Sequence, residues 1–254
     1  MIIGVQTKKE YHNSVDGIEK YGTNGDIDTG SPEEVWSVGG IYSFPTTSES
    51  IEVLSSDAAD TAAGTGARTV TVIGINNATE LREISETVTL NGVTPVALTK
   101  TFYRIYRANV ITAGTGEVNA GTITIRVASA GATRAEIPIG KSSTLMAIFT
   151  IPAVVSDSNG NDTTVSYGIL NDVWMSMGVA SPAGSIVTGE LYFRYNGTRV
   201  LKHEWYLRTG GTTEIEKIFK QPKKALPGTD IYVRGTVTTS NTGVASGFSV
   251  EYIT

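Results

Sequence analysis

Apolar residues recur at every second position along most of the chain. In "SIEVLSS", Ile51 and Val53 alternate with Ser50 and Glu52; in "RTVTVIGI", Val70 and Val72 alternate with Thr69, Thr71 and Ile73. A period of two places successive side chains on opposite faces, so these segments predict half-buried β-strands. "FYRIYRANVIT" and "GTITIRVA" follow as further strands, with "AGTGEVNAG" as the loop between them. "EISETVTLNGVTPVAL" sets Ile84, Val88 and Leu90 near one face and then reaches Asn91-Gly92. That dipeptide predicts a hairpin, because both central residues of a type I′ turn need positive φ. The best helical candidate is "ATELREISE", but β-branched residues flank it and no helix is predicted.

The pattern breaks near "GATRAEIPIGKSS" and resumes as a second set of strands. In "ELYFRYNGTRVLKHEWYL", Asn196-Gly197 joins two aromatic-rich strands and predicts a second hairpin. About seven short strands over the last ~105 residues, ~8–12 residues apart, predict a sandwich or jelly roll. Residues 1–35 are polar, with glycines at 4, 17, 22, 25 and 30 and no sustained period. They predict an N-terminal arm or extended lead-in, ordered mainly by neighbouring chains. The expected architecture is all-β and antiparallel: the arm at 1–35, a first β region at 36–140, and a jelly-roll-like β-sandwich at 141–254.

Composition sharpens this picture in a few places. The chain has 254 residues and 28 glycines, which suits one large all-β domain or two small ones with tight turns. A net charge of −5 gives no general attraction for nucleic acid or an anionic membrane. There are no cysteines, so disulfides and thiolate chemistry are excluded. No window approaches ~20 apolar residues. The opening "MIIGVQTKKEYHNSVDG" does not read as a signal peptide. The N-x-Thr sequons at Asn77, Asn161 and Asn196 therefore carry little weight.

Several stretches invite chemistry. "DTAAGTGARTVTVIGI" is punctuated by Gly64 and Gly66, but it lacks the lysine of a phosphate-binding loop and runs into a strand. It reads as a turn in which the glycines allow positive φ and Arg68 starts a solvated strand. His12 and His203 are the only histidines, far apart in sequence, so no catalytic triad is evident. Asp57, Asp60, Glu83, Glu86, Asp172, Glu190 and Glu204 are candidate carboxylates, with nothing to mark out two of them as a pair. Asp26 and Asp28 in "NGDIDTG" do not meet a calcium-loop spacing, and "SDSNGND" reads as a polar loop. Trp174, Trp205, Tyr192, Tyr195 and Tyr206 fit core or cross-strand packing better than a sugar platform. Lys217, Lys220, Lys223 and Lys224 in "KIFKQPKKALPG" read either as a guarded strand edge or as contacts with an acidic neighbour. No catalytic residue, cofactor or metal ligand is predicted.

"SSDAADTAAGTGARTVTVIGIN", "EISETVTLNGVTPV" and "YRIYRANVITAGTGEVNAGTITI" resemble a group of virion structural proteins of marine and environmental podovirus-type tailed phages. The upstream "DIDTGSPEEVWSVGGIYSFP" and the downstream "STLMAIFTIPA", "QPKKALPGTDIYVRGT" and "VASGFSVEYI" extend the resemblance from about Gly25 to the C-terminus. "IPAVVSDSNGNDTTVSYG" departs from the group's shorter turn and implies a longer loop. The resemblance implies a non-enzymatic virion component, assembled in the host cytoplasm: a capsid decoration or cement protein, or a head fibre. Its partners would be capsid or other virion proteins, and a homo-oligomer is expected, a trimer first. A tail or adsorption component, or an adhesin for a host surface glycan, is the alternative. A glycan-cleaving enzyme stands third.

Overall fold

The structure is a computed structural model that describes residues 17–156, 160–178 and 181–254. All regular structure among these residues is β-strand. β1 (Ile18–Ile27) and β2 (Glu33–Glu34) come first. A middle block follows: β3 (Glu49–Ser55), β4 (Ala67–Ile75), β5 (Glu83–Thr89), β6 (Val96–Phe102), β7 (Arg104–Ala113), β8 (Ile123–Val127) and β9 (Thr133–Ile137). The last block is β10 (Ile148–Thr150), β11 (Val154–Ser156), β12 (Asp162–Thr164), β13 (Tyr167–Met177), β14 (Ile186–Tyr195), β15 (Thr198–Arg208), β16 (Glu214–Ala225), β17 (Asp230–Val237) and β18 (Thr242–Ile253).

The middle block forms one sandwich, with a sheet ordered β6-β3-β8-β9 against a sheet ordered β5-β4-β7. Ile51, Val53, Val70, Val72, Ile123 and Ile125 fill it, the inward half of the alternation seen in the sequence. Of the remaining strands, β11 and β12 pair as a separate ribbon and the others form the second sandwich, ordered β1-β18-β13-β16 and β10-β17-β14-β15, with β2 also on β17. Its pairings are nested: β1 with β18, β10 with β17, β13 with β16, β14 with β15. Nested antiparallel pairs describe one long hairpin rolled into two sheets, which is the eight-stranded jelly roll.

This topology corrects the lead-in. Residues 1–16 lie outside the described residues. Ile18–Ile27, however, is a ten-residue strand of the jelly roll, not an arm. Its inner positions Ile18, Lys20 and Asn24 are buried, and it pairs with β18 from Ile18↔Val250 to Ile27↔Thr242. Polar inner residues and two glycines hid the period from a hydrophobicity count. The middle sandwich is therefore an insertion between the first and second strands of the roll. Its two connections run side by side: the Ser37 amide donates to Leu145 O at 2.9 Å and the Ala147 amide to Val35 O at 2.9 Å.

The insert is clamped to the roll by more than this stem. Arg104 on β7 and Asp230 on β17 form a buried ion pair at 2.9 Å. Asp230 also accepts from Arg194 and from Thr150 Oγ1, while Arg104 Nη1 donates to Pro45 O. Every charge there is answered inside the protein, as burial requires. Tyr106 of the insert meets Phe149 of the roll edge-to-face at 4.8 Å.

Two further expectations change. β5 and β6 belong to different sheets, so Asn91-Gly92 is no hairpin. Gly92 has a φ of 58°, but Asn91 is not left-handed, and the turn docks instead on the Asp60 loop through the Gly92 amide to Asp60 O at 2.8 Å. "IPAVVSDSNGNDTTVSYG" is more than a loop: β11 and β12 pair within it from Val154↔Thr164 to Ser156↔Asp162. The second hairpin is as expected, with Asn196 at φ 49° and Gly197 at φ 79° between Tyr195 and Thr198.

Candidate functional site

The glycine loop that opens at Asp60 is built around that residue. Asp60 is fully buried. Its Oδ1 accepts the amides of Ala67 at 2.6 Å and Ala120 at 2.8 Å; its Oδ2 accepts the Gly121 amide at 2.9 Å and the Ser55 hydroxyl at 2.6 Å. The amides that would cradle an anionic ligand are spent on a carboxylate of the chain itself. Gly64 and Gly66 are not at positive φ, contrary to expectation. They are glycine because a Cβ would lie 1.9 Å from Ala59 O and 2.1 Å from Asp60 Oδ1 respectively. The loop is a knot tying residues 57–67 to 114–121.

The other carboxylate candidates are dispersed. Asp57 caps the Ala59 amide, Glu86 takes the amides of Thr99 and Lys100, and Glu83 receives the Tyr106 hydroxyl. Glu190 and Glu204 do meet, as directly opposed residues on β14 and β15. Each accepts from the tyrosine two positions along its own strand, Tyr192 and Tyr206. His203 packs between the rings of Trp205 and Phe219. Burial, with the Lys217 and Lys223 ammonium groups, holds its imidazole below the ordinary value. His12 lies outside the described residues. Asp26 and Asp28 are exposed, and among the described residues no group of three metal-ligating side chains gathers.

The four lysines lie on β16, an edge strand of the roll. Between Leu170↔Lys223 and Asp172↔Ile218 the register slips, so residues 219–222 bulge from the sheet. Lys223 sits over the Phe219 ring at 5.3 Å and Lys224 over Tyr167 at 3.8 Å, and Lys217, Lys220 and Lys224 are exposed. Lysines, Pro222 and a bulge are the features that block edge-to-edge strand addition.

The aromatic set divides. Trp205 is buried in the roll and Tyr192 packs against the insert's core, whereas Tyr195 and Tyr206 are exposed. Trp174 faces outward on β13, where it stacks on Tyr21 with centroids 5.7 Å apart and planes at 29°. The two rings meet above Gly247 of β18, which pairs with both residues. They lie in a groove of about 1150 Å³ between the outer face of the roll and Arg107 of the insert. Glu19, Asp172 and Glu216 also line this groove. Tyr21 was missed in the sequence because it lies in the polar lead-in; its signal, alternation of Tyr21 and Glu19 with Ile18 and Lys20, is too short to stand alone.

No known protein family and no curated protein matches the chain. Among solved structures, the VP2 subviral particle of infectious bursal disease virus aligns at 12% identity, covering 96% of this chain and 83% of that chain, with a TM-score of 0.15. The structure of the Gx strain of the same virus aligns at 10% identity over the same shares, with a TM-score of 0.13. A likeness that slight carries no inference about role, which rests on the chain's own residues.

Proposed function

We propose that the protein is a non-enzymatic structural component of a bacteriophage virion, assembled in the host cytoplasm and mounted on the outer capsid as a decoration or cement protein or a head fibre. The observation that carries this reading is the architecture: a jelly roll with a second sandwich inserted and clamped to it by a buried ion pair. Such a body offers rigid faces whose product is an interface. Jelly rolls recur in capsid shells and also in lectins, so the fold alone does not assign the role. The phage-type motifs from "DIDTG" to "SVEYI" supply the other support.

On a lattice, weak contacts of many copies add by avidity, and a symmetric homo-oligomer, first a trimer, fits that use. Lys217, Lys220, Lys223 and Lys224 are rim contacts for an acidic neighbour in this reading. Attachment should then weaken as salt rises from about 0.05 to 0.5 M, since exposed pairs are screened. The test is mass spectrometry of purified virions together with deletion of the gene. Presence in stoichiometric amounts, and particles that lose stability or a surface feature on deletion, are expected. Absence from the particle overturns the reading.

A second reading, a tail or adsorption component, is favoured by one observation: the aromatic-floored groove on the roll's outer face. Electron microscopy of particles carrying a labelled copy separates the two, by density at the head or at the tail.

A further inference from the structure

We propose that the groove over Tyr21 and Trp174 is a binding site for a neutral oligosaccharide. Pairing across the sheet sets Tyr21, Gly247, Trp174 and Glu216 in one row on its outer face. Two residues along the strands, ~7 Å away, a second row holds Glu19, Ser249 and Asp172. The first row is an aromatic floor ending in a carboxylate. The second is a line of oxygen acceptors, with Ser249 Oγ already bonded to Asp172.

Core packing does not account for the floor. Neither ring joins a hydrophobic cluster, and Tyr21 is 46% exposed. The strands bury the alternate positions instead, Ile18, Val173, Met175 and Phe248. Gly247 is what allows the indole to lie flat, since a Cβ there would stand 2.7 Å from Trp174 Nε1. Trp205 uses the same device within the core, where a Cβ on its cross-strand partner Gly189 would meet its Nε1 at 2.3 Å. A tryptophan over a glycine therefore does not dictate an outward ring. A cross-strand aromatic pair also stabilises a sheet, but that role needs neither a groove nor a flanking row of acceptors.

A pyranose matches both rows. Its C–H face lies against the electron-rich face of an aromatic ring, and its equatorial hydroxyls point sideways to carboxylates that accept them in pairs. Charge narrows the class. Four carboxylates, those of Glu19, Asp172, Glu216 and Glu251, outnumber the cationic groups of Arg107 and Lys20 along the groove, so a sialylated or uronate chain is repelled. Size narrows it further: about 1150 Å³ is above the usual range of ~300–1,000 Å³ for a small ligand. An open groove of that size suits several sugar units. The site deepens the adsorption reading and rests on it for its biological use, but its chemistry is tested on the isolated chain.

Trp36 and Trp205 are buried, so of the three tryptophans Trp174 is the one that a ligand in the groove covers. The full chain is titrated with neutral gluco-, galacto- and N-acetylhexosamine oligosaccharides, with sialylated and uronate oligosaccharides, and with a lysine-rich peptide. Binding by every variant is read by calorimetry, and tryptophan emission and acrylamide quenching are followed in the chains that keep Trp174. At least one neutral oligosaccharide should saturate and shield Trp174. Trp174→Ala and Tyr21→Ala should each weaken it on the order of ten-fold, the loss of one stacking contact. Tyr21→Phe should retain it, and Glu216→Gln should weaken it without changing circular dichroism. If Trp174→Ala does not fold, Tyr21→Ala at its exposed position decides. No binding of any neutral oligosaccharide, equal binding by both alanine variants, or binding of the peptide alone overturns the proposal. The presence of the protein in virions is measured separately, so either result stands without the other.

Discussion

Single residues decide most at Asp60, where one carboxylate gathers four donors from three segments. Asp60→Ala takes the acceptor from three amides and from the Ser55 hydroxyl, whose oxygen keeps only the Asp57 amide. A loss of about 3 kcal/mol is expected, read from urea denaturation, because unsatisfied buried donors cost more than a hydrogen bond contributes. A loss below about 1 kcal/mol would mean that water fills the place. Gly66→Ala should cost about as much by collision with the same carboxylate, at 2.1 Å. Glu83 offers a pH test. Burial holds its carboxyl above the usual carboxylate range, against the Tyr106 hydroxyl and Arg107. The folded state then holds a proton that the unfolded chain has released. The stability this group contributes is full below its unfolded value and is lost as pH rises through its folded one. Glu83→Gln should match the parent near about pH 4 and surpass it near about pH 8 in urea midpoint. A constant difference across that window would count against the assignment.

At the scale of elements, two Asn-Gly pairs with the same local signal have different fates. Asn196-Gly197 closes the β14–β15 hairpin with both residues left-handed. Gly197→Val should destabilise by about 1–2 kcal/mol, since a β-branched residue is strained there. Amide exchange should rise in β14 and β15 before it rises elsewhere, and a uniform rise would sink the local account. Asn91-Gly92 instead passes the chain from one sheet to the other, because Val88 and Leu98 serve the same core from opposite sides. Sequence carried the alternation, and so most strands were legible in it: "RTVTVIGI", "GTITIRVA" and the hairpin at Tyr195 stand where the period sets them. What it did not carry was β1, whose inner face holds Lys20 and Asn24 where apolar residues are expected. Burial, with Arg107 nearby, holds the Lys20 ammonium well below the ordinary value, and its Nζ donates to Tyr106 O. Such a strand is read from its partner across the seam. The groove was half legible for the same reason: Trp174 and Asp172 lie in an evident strand, Tyr21 and Glu19 do not.

The whole molecule is two sandwiches made to act as one. Arg104→Met leaves Asp230 with Arg194 and Thr150 alone, and should cost about 3–5 kcal/mol, as when one partner of a buried pair is removed. Calorimetry should resolve two transitions in place of one, because the clamp, not the stem, couples the two cores. A single unshifted transition would show that the aromatic and stem contacts suffice. Which strand is first in the roll could not be read from local pattern, since its partner stands at the far end of the chain. That separation has a temporal side. Val250, which faces Ile18, is made 232 residues after it (250 − 18). During synthesis the insert, at 49–137, is complete and its strand partners are all present while the roll still lacks seven of its eight principal strands. β1 therefore emerges before the insert and must wait, unpaired along both edges, until β18 is translated. Its lysine, asparagine and glycines, poor choices for a core, are good choices for a strand that has to remain soluble through that delay.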